Sequence, residues 1–413
     1  MDLHGGNIYQ SNIELDFSVN VNPLGPPEGI RDLFLNSGDW LSHYPRRDQK
    51  ENEDRLLALI GLSETGTIPG RSTASPGTEI GAVIGNGASE LLMAHFLALR
   101  PKRVLLTEPS FYGYRHAARA VGAELLSYPL REDLDFALDE GLIKQIDPSI
   151  DLILLASPNN PNGGRIRDDL LREILRKAAS HRIPLLLDAC FMPLSLLGEE
   201  GQAPGEGDQT GGEALREGLS AIDSYATWLK SLFDLHGGLE VLGAFTKTFA
   251  IPSLRLGYLL GREEGLKEIR KLLPEWNLSL PAQKALEEIA RMGETGRLRP
   301  YLKETGHIIR QESQYLREKL QELGFRVYGG DGNFILFADC PAKRGGVDKR
   351  PREEIRGMNT RNLYEELLRE NILIRDCGNY RGLGQGFYRV AVLSHEKNRK
   401  LIRLLGKIIR DSG

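Results

Sequence analysis

The sequence predicts an α/β protein, with a mainly parallel central sheet flanked by helices and a smaller α+β domain beside it. Three observations carry this. From about residue 80 to 260, short apolar runs alternate with longer amphipathic stretches, the pattern of repeated βαβ units. Those runs lack the apolar–polar alternation of a half-exposed strand, so they suit strands covered on both faces. Beyond about residue 300 the pattern changes to long helices mixed with a few short strands.

The elements follow in order. Residues 1–45 have little periodicity and read as an arm that packs on the smaller domain or on a neighbouring molecule. Residues 82–84 form a strand, which a glycine turn joins to a helix over 90–99. Further strands are expected at 104–107, 152–156, 184–187 and 241–244, each a short apolar run after an amphipathic stretch. A long amphipathic helix is expected over 302–323, stopped near Gly324. Strands at 325–328 and 333–337, a helix at 362–370, strands at 372–375 and 387–392, and a closing helix at 395–409 complete the smaller domain. The expected division is an arm (1–45), a large domain (46–295) and a small domain (296–413). Residues 63–78, 198–212 and 341–356 are rich in glycine, proline or charge and bury little, so they read as mobile loops without catalytic content.

Composition narrows the function. The 413 residues are 40% hydrophobic and 27% charged, ordinary for a globular protein. A net charge of −4 with no strongly basic tract argues against nucleic acid as a partner. Cys190, Cys340 and Cys377 are far apart and odd in number, which indicates neither a disulfide framework nor a zinc site and fits a reducing cytoplasm. No metal is expected. No basic segment followed by an apolar core opens the chain, and no run of about 18 apolar residues occurs, so neither export nor membrane insertion is expected.

The most informative stretch runs from Ala244 to Tyr258. It holds one lysine, Lys247, among largely apolar residues, with Arg255 eight positions on. Burial disfavours an ammonium, so such a lysine loses its proton easily. A neutral amine condenses with an aldehyde to give a Schiff base, and an arginine fork can hold a phosphate. Together they point to pyridoxal 5'-phosphate (PLP); a lysine that snorkels to water would look the same in isolation.

Other segments strengthen that reading. Gly85-Asn86-Gly87-Ala88-Ser89-Glu90 joins a strand to a helix, where free N–H groups attract phosphate; an ordinary turn capped by Ser89 is the alternative. Asp188 ends a strand, the edge at which open α/β sheets bind ligands, and could pair with a protonated pyridine nitrogen. Asn160 lies in the Asn- and Pro-rich turn 157–164 and could donate to a ring oxygen; turns of this composition are also common for their own sake. Phe111 and its neighbours offer an aromatic face for a flat ring. Arg389, inside an apolar strand, needs an anion, for which a substrate carboxylate would fit. Arg375 offers a second anion site or an ion pair with Asp376.

These residues, in this order, resemble the fold-type-I PLP-dependent enzymes, the aspartate aminotransferase superfamily, over most of the chain. The resemblance implies that Lys247 is the Schiff-base lysine and Asp188 the pyridine-nitrogen partner. Asn160 would contact the ring hydroxyl and Phe111 stack on the ring. Gly87, Ala88, Ser89, Thr246 and Arg255 would hold the cofactor phosphate. Tyr44 would reach the cofactor of a neighbouring subunit, which implies a homodimer with shared sites. Within the superfamily the chain is similar to the histidinol-phosphate aminotransferase group. His4-Gly5-Gly6-Asn7, residues 16–25 and residues 374–383 resemble its branch of decarboxylases acting on L-threonine O-3-phosphate in cobalamin biosynthesis. That likeness implies His4, Asn22 and Arg375 at the substrate phosphate and Arg389 at its carboxylate, with Asn160 also beside the substrate.

Three departures stand out. Ala244 occupies a position where many relatives have serine or threonine, which removes one phosphate hydrogen bond. Phe191 replaces a tyrosine common in transaminases, and phenylalanine cannot donate to a ring oxygen. Ala189 follows Asp188 where glutamate is frequent. A transaminase acting on histidinol phosphate or an aromatic amino acid is the main alternative. A non-catalytic regulator would need a lost lysine or an added DNA-binding segment, and the sequence has neither.

Overall fold

The structure is a computed structural model that describes residues 5–9, 12–35, 38–63, 79–199, 221–339 and 362–411. His4 and most of the three expected loops (64–78, 200–212, 341–356) lie outside the described residues.

Seven strands build the large sheet: β2 (Ile80–Asn86), β3 (Arg103–Glu108), β4 (Glu124–Pro129), β5 (Leu152–Ala156), β6 (Leu185–Asp188), β7 (Leu239–Ala244) and β8 (Leu256–Arg262). Their order is β2-β8-β7-β6-β5-β3-β4. The pairs from β7 to β4 are parallel, and β8 runs antiparallel to both β7 and β2. β5 is buried along its whole length and β6 for all but its last residue, as their unbroken leucine and isoleucine runs require. One apolar cluster, with Leu105, Ile153, Leu185 and Val241, covers one face; a second, with Val104, Leu152, Leu186 and Leu242, covers the other. The odd–even split along each strand is the pleat itself.

Two strands escaped the sequence pattern. β4 is an edge strand with no residue fully buried, so it lacks a clean apolar run. β8 alternates with glycine at Gly257 and Gly261. A Cβ at Gly257 would collide with the backbone of Gly87 and Ala88, so β8 can approach the turn after β2 only because that residue is glycine.

A second sheet has the order β12-β13-β10-β9, from Arg375–Asp376, Phe387–Ala391, Phe334–Ala338 and Arg326–Val327, all antiparallel. The stretch expected as one strand at 372–375 is two. Ile372–Leu373 (β11) pairs in parallel with Leu15–Asp16 (β1), and Arg375–Asp376 joins β13. The long helix Leu298–Glu322 and the closing helix His395–Arg410 pack beside this sheet, with Leu316, Leu320, Leu401 and Leu405 in one core with Phe337 and Val390. No helix among the described residues is long and apolar enough to cross a membrane.

The N-terminal segment 17–22 links the two sheets. Phe17 O accepts from Ala391 N, Val21 O from Asn333 Nδ2, and Asn22 N donates to Lys247 O.

Candidate active site

β7 ends at Ala244, and the chain enters one helical turn, Phe245–Thr248. Phe245, Thr246 and Thr248 are buried, which holds Lys247 just beyond the carboxyl edge of the sheet. Lys247 is half-buried, and among the described residues its amine makes no hydrogen bond or ion pair. The amine lies 5.9 Å from the centre of the Phe191 ring. Burial, aided by the positive charge of Arg389 and of Arg255, pulls its pKa from 10.5 down to about 8.

Asp188 closes β6, in register with Ala156 on one side and Leu242 on the other. Its carboxyl accepts from Tyr114 Oη at 2.7 Å and from Cys190 N at 2.9 Å, which fixes its rotamer. Burial, and then the Asp188 charge, push the Tyr114 hydroxyl well above its ordinary pKa, so it remains a donor. Tyr114 was not legible as a site residue, because helical spacing marks it only as core. Its ring meets Phe111 edge-on at 5.5 Å, and Phe111 itself caps the helix Tyr112–Ala120.

The N-terminus of the helix Ala88–Leu99 faces the same region. Its cap is Gly87, at φ 77°, and not Ser89, which sits one residue inside the helix. A Cβ on Gly87 would lie 2.6 Å from Arg255 Nη2, so the guanidinium rests directly over the glycine. Arg255 adopts φ 56° and ψ 56°, a left-handed conformation that costs a non-glycine residue about 1–2 kcal/mol. Strain of this kind persists where the surroundings demand the side-chain direction. Thr246 is buried as a residue, and its hydroxyl makes no hydrogen bond among the described residues. The helix N-terminus with the Arg255 guanidinium over its first glycine suits an anion.

Arg375 and Arg389 are cross-strand partners, both 5% exposed. Arg389 donates to Asn160 Oδ1 and, at 2.8 Å, to the Ser18 carbonyl; its buried Nε has no hydrogen-bond partner among the described residues. Arg375 donates to the carbonyl of Asp376 at 2.5 Å and to Asn379 Oδ1 at 2.8 Å, so it does not use the adjacent Asp376 carboxylate. Asn160 also accepts from Tyr380 Oη at 3.2 Å.

The structure also places two further expected residues. The Asn22 amide is committed elsewhere: its Nδ2 faces Thr248 O, Tyr301 Oη and Thr305 Oγ1 within 2.9 Å, and its Oδ1 accepts from Leu24 N. An amide with only two hydrogens has no donor left for a ligand, so Asn22 buckles the Lys247 turn to the long helix. Asn20, two residues earlier, is the one with a buried, unpartnered Oδ1. Tyr44, expected at the site of a neighbouring subunit, is 81% exposed, and its ring lies 5.1 Å from that of Trp276.

Known proteins are similar to this chain along most of its length. The chain is 28% identical to a threonine-phosphate decarboxylase of Salmonella typhimurium, over 98% of this chain and 96% of that one. It is 26% identical to a histidinol-phosphate aminotransferase of Methanosarcina mazei, over 93% and 85%. The solved histidinol-phosphate aminotransferase of Clostridium acetobutylicum superposes with a TM-score of 0.72 at 25% identity, covering 96% of this chain and 99% of that one. The family model for aminotransferase class I and II matches residues 12–405, and the chain belongs to that family.

Proposed function

We propose that this enzyme binds pyridoxal 5'-phosphate and decarboxylates L-threonine O-3-phosphate to (R)-1-amino-2-propanol O-2-phosphate, a step serving cobalamin biosynthesis. The observation that carries the reading is the buried Arg389, in register with Arg375 on the neighbouring strand; its Nε makes no hydrogen bond among the described residues. A buried guanidinium with an unused N–H calls for an acceptor, and the two arginines together suit anions. Threonine phosphate carries two, a carboxylate and a phosphate. The relative from Salmonella typhimurium, named a threonine-phosphate decarboxylase, supports the choice.

The residues present fit the cofactor. Lys247 would carry its aldehyde, Asp188 face the ring nitrogen, Asn160 the ring hydroxyl and Phe111 the ring face. Gly87, Ala88, Ser89, Thr246 and Arg255 would hold its phosphate. When bound, the cofactor supplies an electron-accepting ring that stabilises negative charge at the substrate Cα. The protein does the rest. Arg389 holds the carboxylate and Arg375 the phosphate, so both ends of the substrate are fixed and one bond at Cα is presented for cleavage. Lys247, with a pKa of about 8, can hold a proton near neutral pH and deliver it to Cα after carbon dioxide leaves. Phe191, beside Lys247, offers no hydroxyl to the ring.

A second reading, transamination, keeps the same cofactor residues, and the two carboxylates of 2-oxoglutarate would also fit the arginines. The likeness to histidinol-phosphate aminotransferases favours it. One assay separates the two. With cofactor and threonine phosphate alone, carbon dioxide should evolve. A requirement for 2-oxoglutarate, with glutamate as product, would overturn the decarboxylase.

We also propose a homodimer. Leu35, Leu41 and Tyr44 are at least 80% exposed, and Trp276 is 42% exposed, an apolar surface that fits a second copy of the chain. Tyr44 would then reach the partner's cofactor. Residues 46–295 would form the cofactor domain, 296–413 the small domain and 1–45 the arm.

A further inference from the structure

The loop between β12 and β13 makes three contacts with the carboxyl edge of the large sheet and the loops that leave it. Tyr380 Oη donates to Asn160 Oδ1 at 3.2 Å. Arg381 Nε lies 3.3 Å from Glu108 Oε2, a buried carboxylate whose other oxygen is held by Arg115. Gly382, at φ 89°, packs against Pro109, where a Cβ would stand 3.5 Å from Cδ. The loop is tied internally as well: Leu383 N donates to Tyr380 O, and the Arg375 guanidinium lies 5.1 Å from the centre of the Tyr380 ring.

The chemistry at Asn160 is directional. Arg389 and Tyr380 both donate to its Oδ1, and a guanidinium can only donate. The amide oxygen therefore faces these two groups, and Nδ2 points the other way. Arg389 has a second task in the proposed reaction, holding a carboxylate, which draws its donors toward substrate. Tyr380 is assigned no ligand of its own, and its hydroxyl also lies beside the Arg375 guanidinium. Burial raises the pKa of its hydroxyl, so it stays protonated across the working range.

We propose that Tyr380 is a positioning residue that holds the Asn160 amide with its N–H groups toward the cofactor ring oxygen, and that the Arg381–Glu108 ion pair fixes the loop that presents it. This rests on the cofactor reading above and adds to it a residue that neither the composition nor the lysine motif marks. An N–H donated to the ring oxygen drains negative charge from it. That charge favours the protonated form of the lysine–cofactor linkage, so loosening Asn160 raises the pH at which the linkage loses its proton.

The test is a pH titration of the visible absorption band of the wild type, Tyr380→Phe, Arg381→Ala and Arg381→Lys, each loaded with pyridoxal phosphate. In Tyr380→Phe the midpoint should move upward by about 0.3–1 pH unit, a two- to tenfold change for one lost hydrogen bond. Arg381→Ala should move it the same way by a smaller amount, and Arg381→Lys should restore it, since lysine can still pair with Glu108. Arg381 is 65% exposed, so its substitution leaves the core intact. A purely structural role would lower thermal stability and leave the midpoint unchanged. A coloured wild type whose midpoint is shared by Tyr380→Phe and Arg381→Ala overturns this proposal alone. A wild type that stays colourless with cofactor overturns the cofactor reading, and this proposal with it.

Discussion

Lys247 is held in a setting that taxes its own charge. Its folded pKa of about 8 lies below the 10.5 of an exposed lysine. Below pH 8 the folded state must accommodate a cation in a buried place, at a cost of about 3 kcal/mol. Between 8 and 10.5 the unfolded chain binds the proton and the folded one does not, so the cost fades as pH rises. Lys247→Met should therefore raise the melting temperature of the cofactor-free protein at pH 7, and the difference should shrink toward zero near pH 10, as followed by calorimetry. The same depressed pKa predicts that cofactor capture by the wild type accelerates with a midpoint near pH 8. For Arg389, removing one member of a buried charged contact costs about 2–5 kcal/mol. Arg389→Ala should lower kcat/KM for threonine phosphate by on the order of a hundredfold or more, while the visible band still forms. At this scale the sequence was legible where chemistry is unusual, as at Lys247 and Arg389. It was less legible where a residue type is common: Asn20 and Asn22 share one face of an extended chain, and what separates them is the long helix that engages Asn22 through Tyr301 and Thr305 some 280 positions away.

The elements show why the anion site forms where it does. Gly87 supplies a positive φ at the start of a helix and leaves space that Arg255 fills. Gly87→Ala should strain the turn by about 1–2 kcal/mol and push the guanidinium aside. The expected result is roughly tenfold weaker cofactor binding in equilibrium dialysis, with circular dichroism unchanged. The buried parallel strands were readable as apolar runs because both faces are covered. β4 was not, since an edge strand is half-exposed, and β8 was not, since its glycines serve the neighbouring turn instead of the sheet. The break at Ile374 was also unreadable. Residues 372–375 are uniformly apolar up to the arginine, and only tertiary pairing assigns 372–373 to β1 and 375–376 to β13.

For the whole molecule, the proposed association of two copies makes a direct prediction. Leu41 is 93% exposed, so a charge there cannot disturb the core of a single chain. Leu41→Asp should shift sedimentation toward a monomer, and cofactor affinity should then fall as protein is diluted if Tyr44 serves the partner. The fold class was legible because alternation of element types persists over nearly two hundred residues, and no single boundary decides it. How the two sheets meet was not, because that junction is made by the segment 17–22, which has no periodicity of its own. The junction also sets an order of events. Ser18 receives Arg389 across 371 positions, and Asn22 receives the Lys247 turn across more than two hundred. On a ribosome the first of these partners is made early and the last almost at the end. A nascent chain can close its large sheet while translation continues, yet its catalytic hollow stays open to chaperones and proteases until the final strand is synthesised.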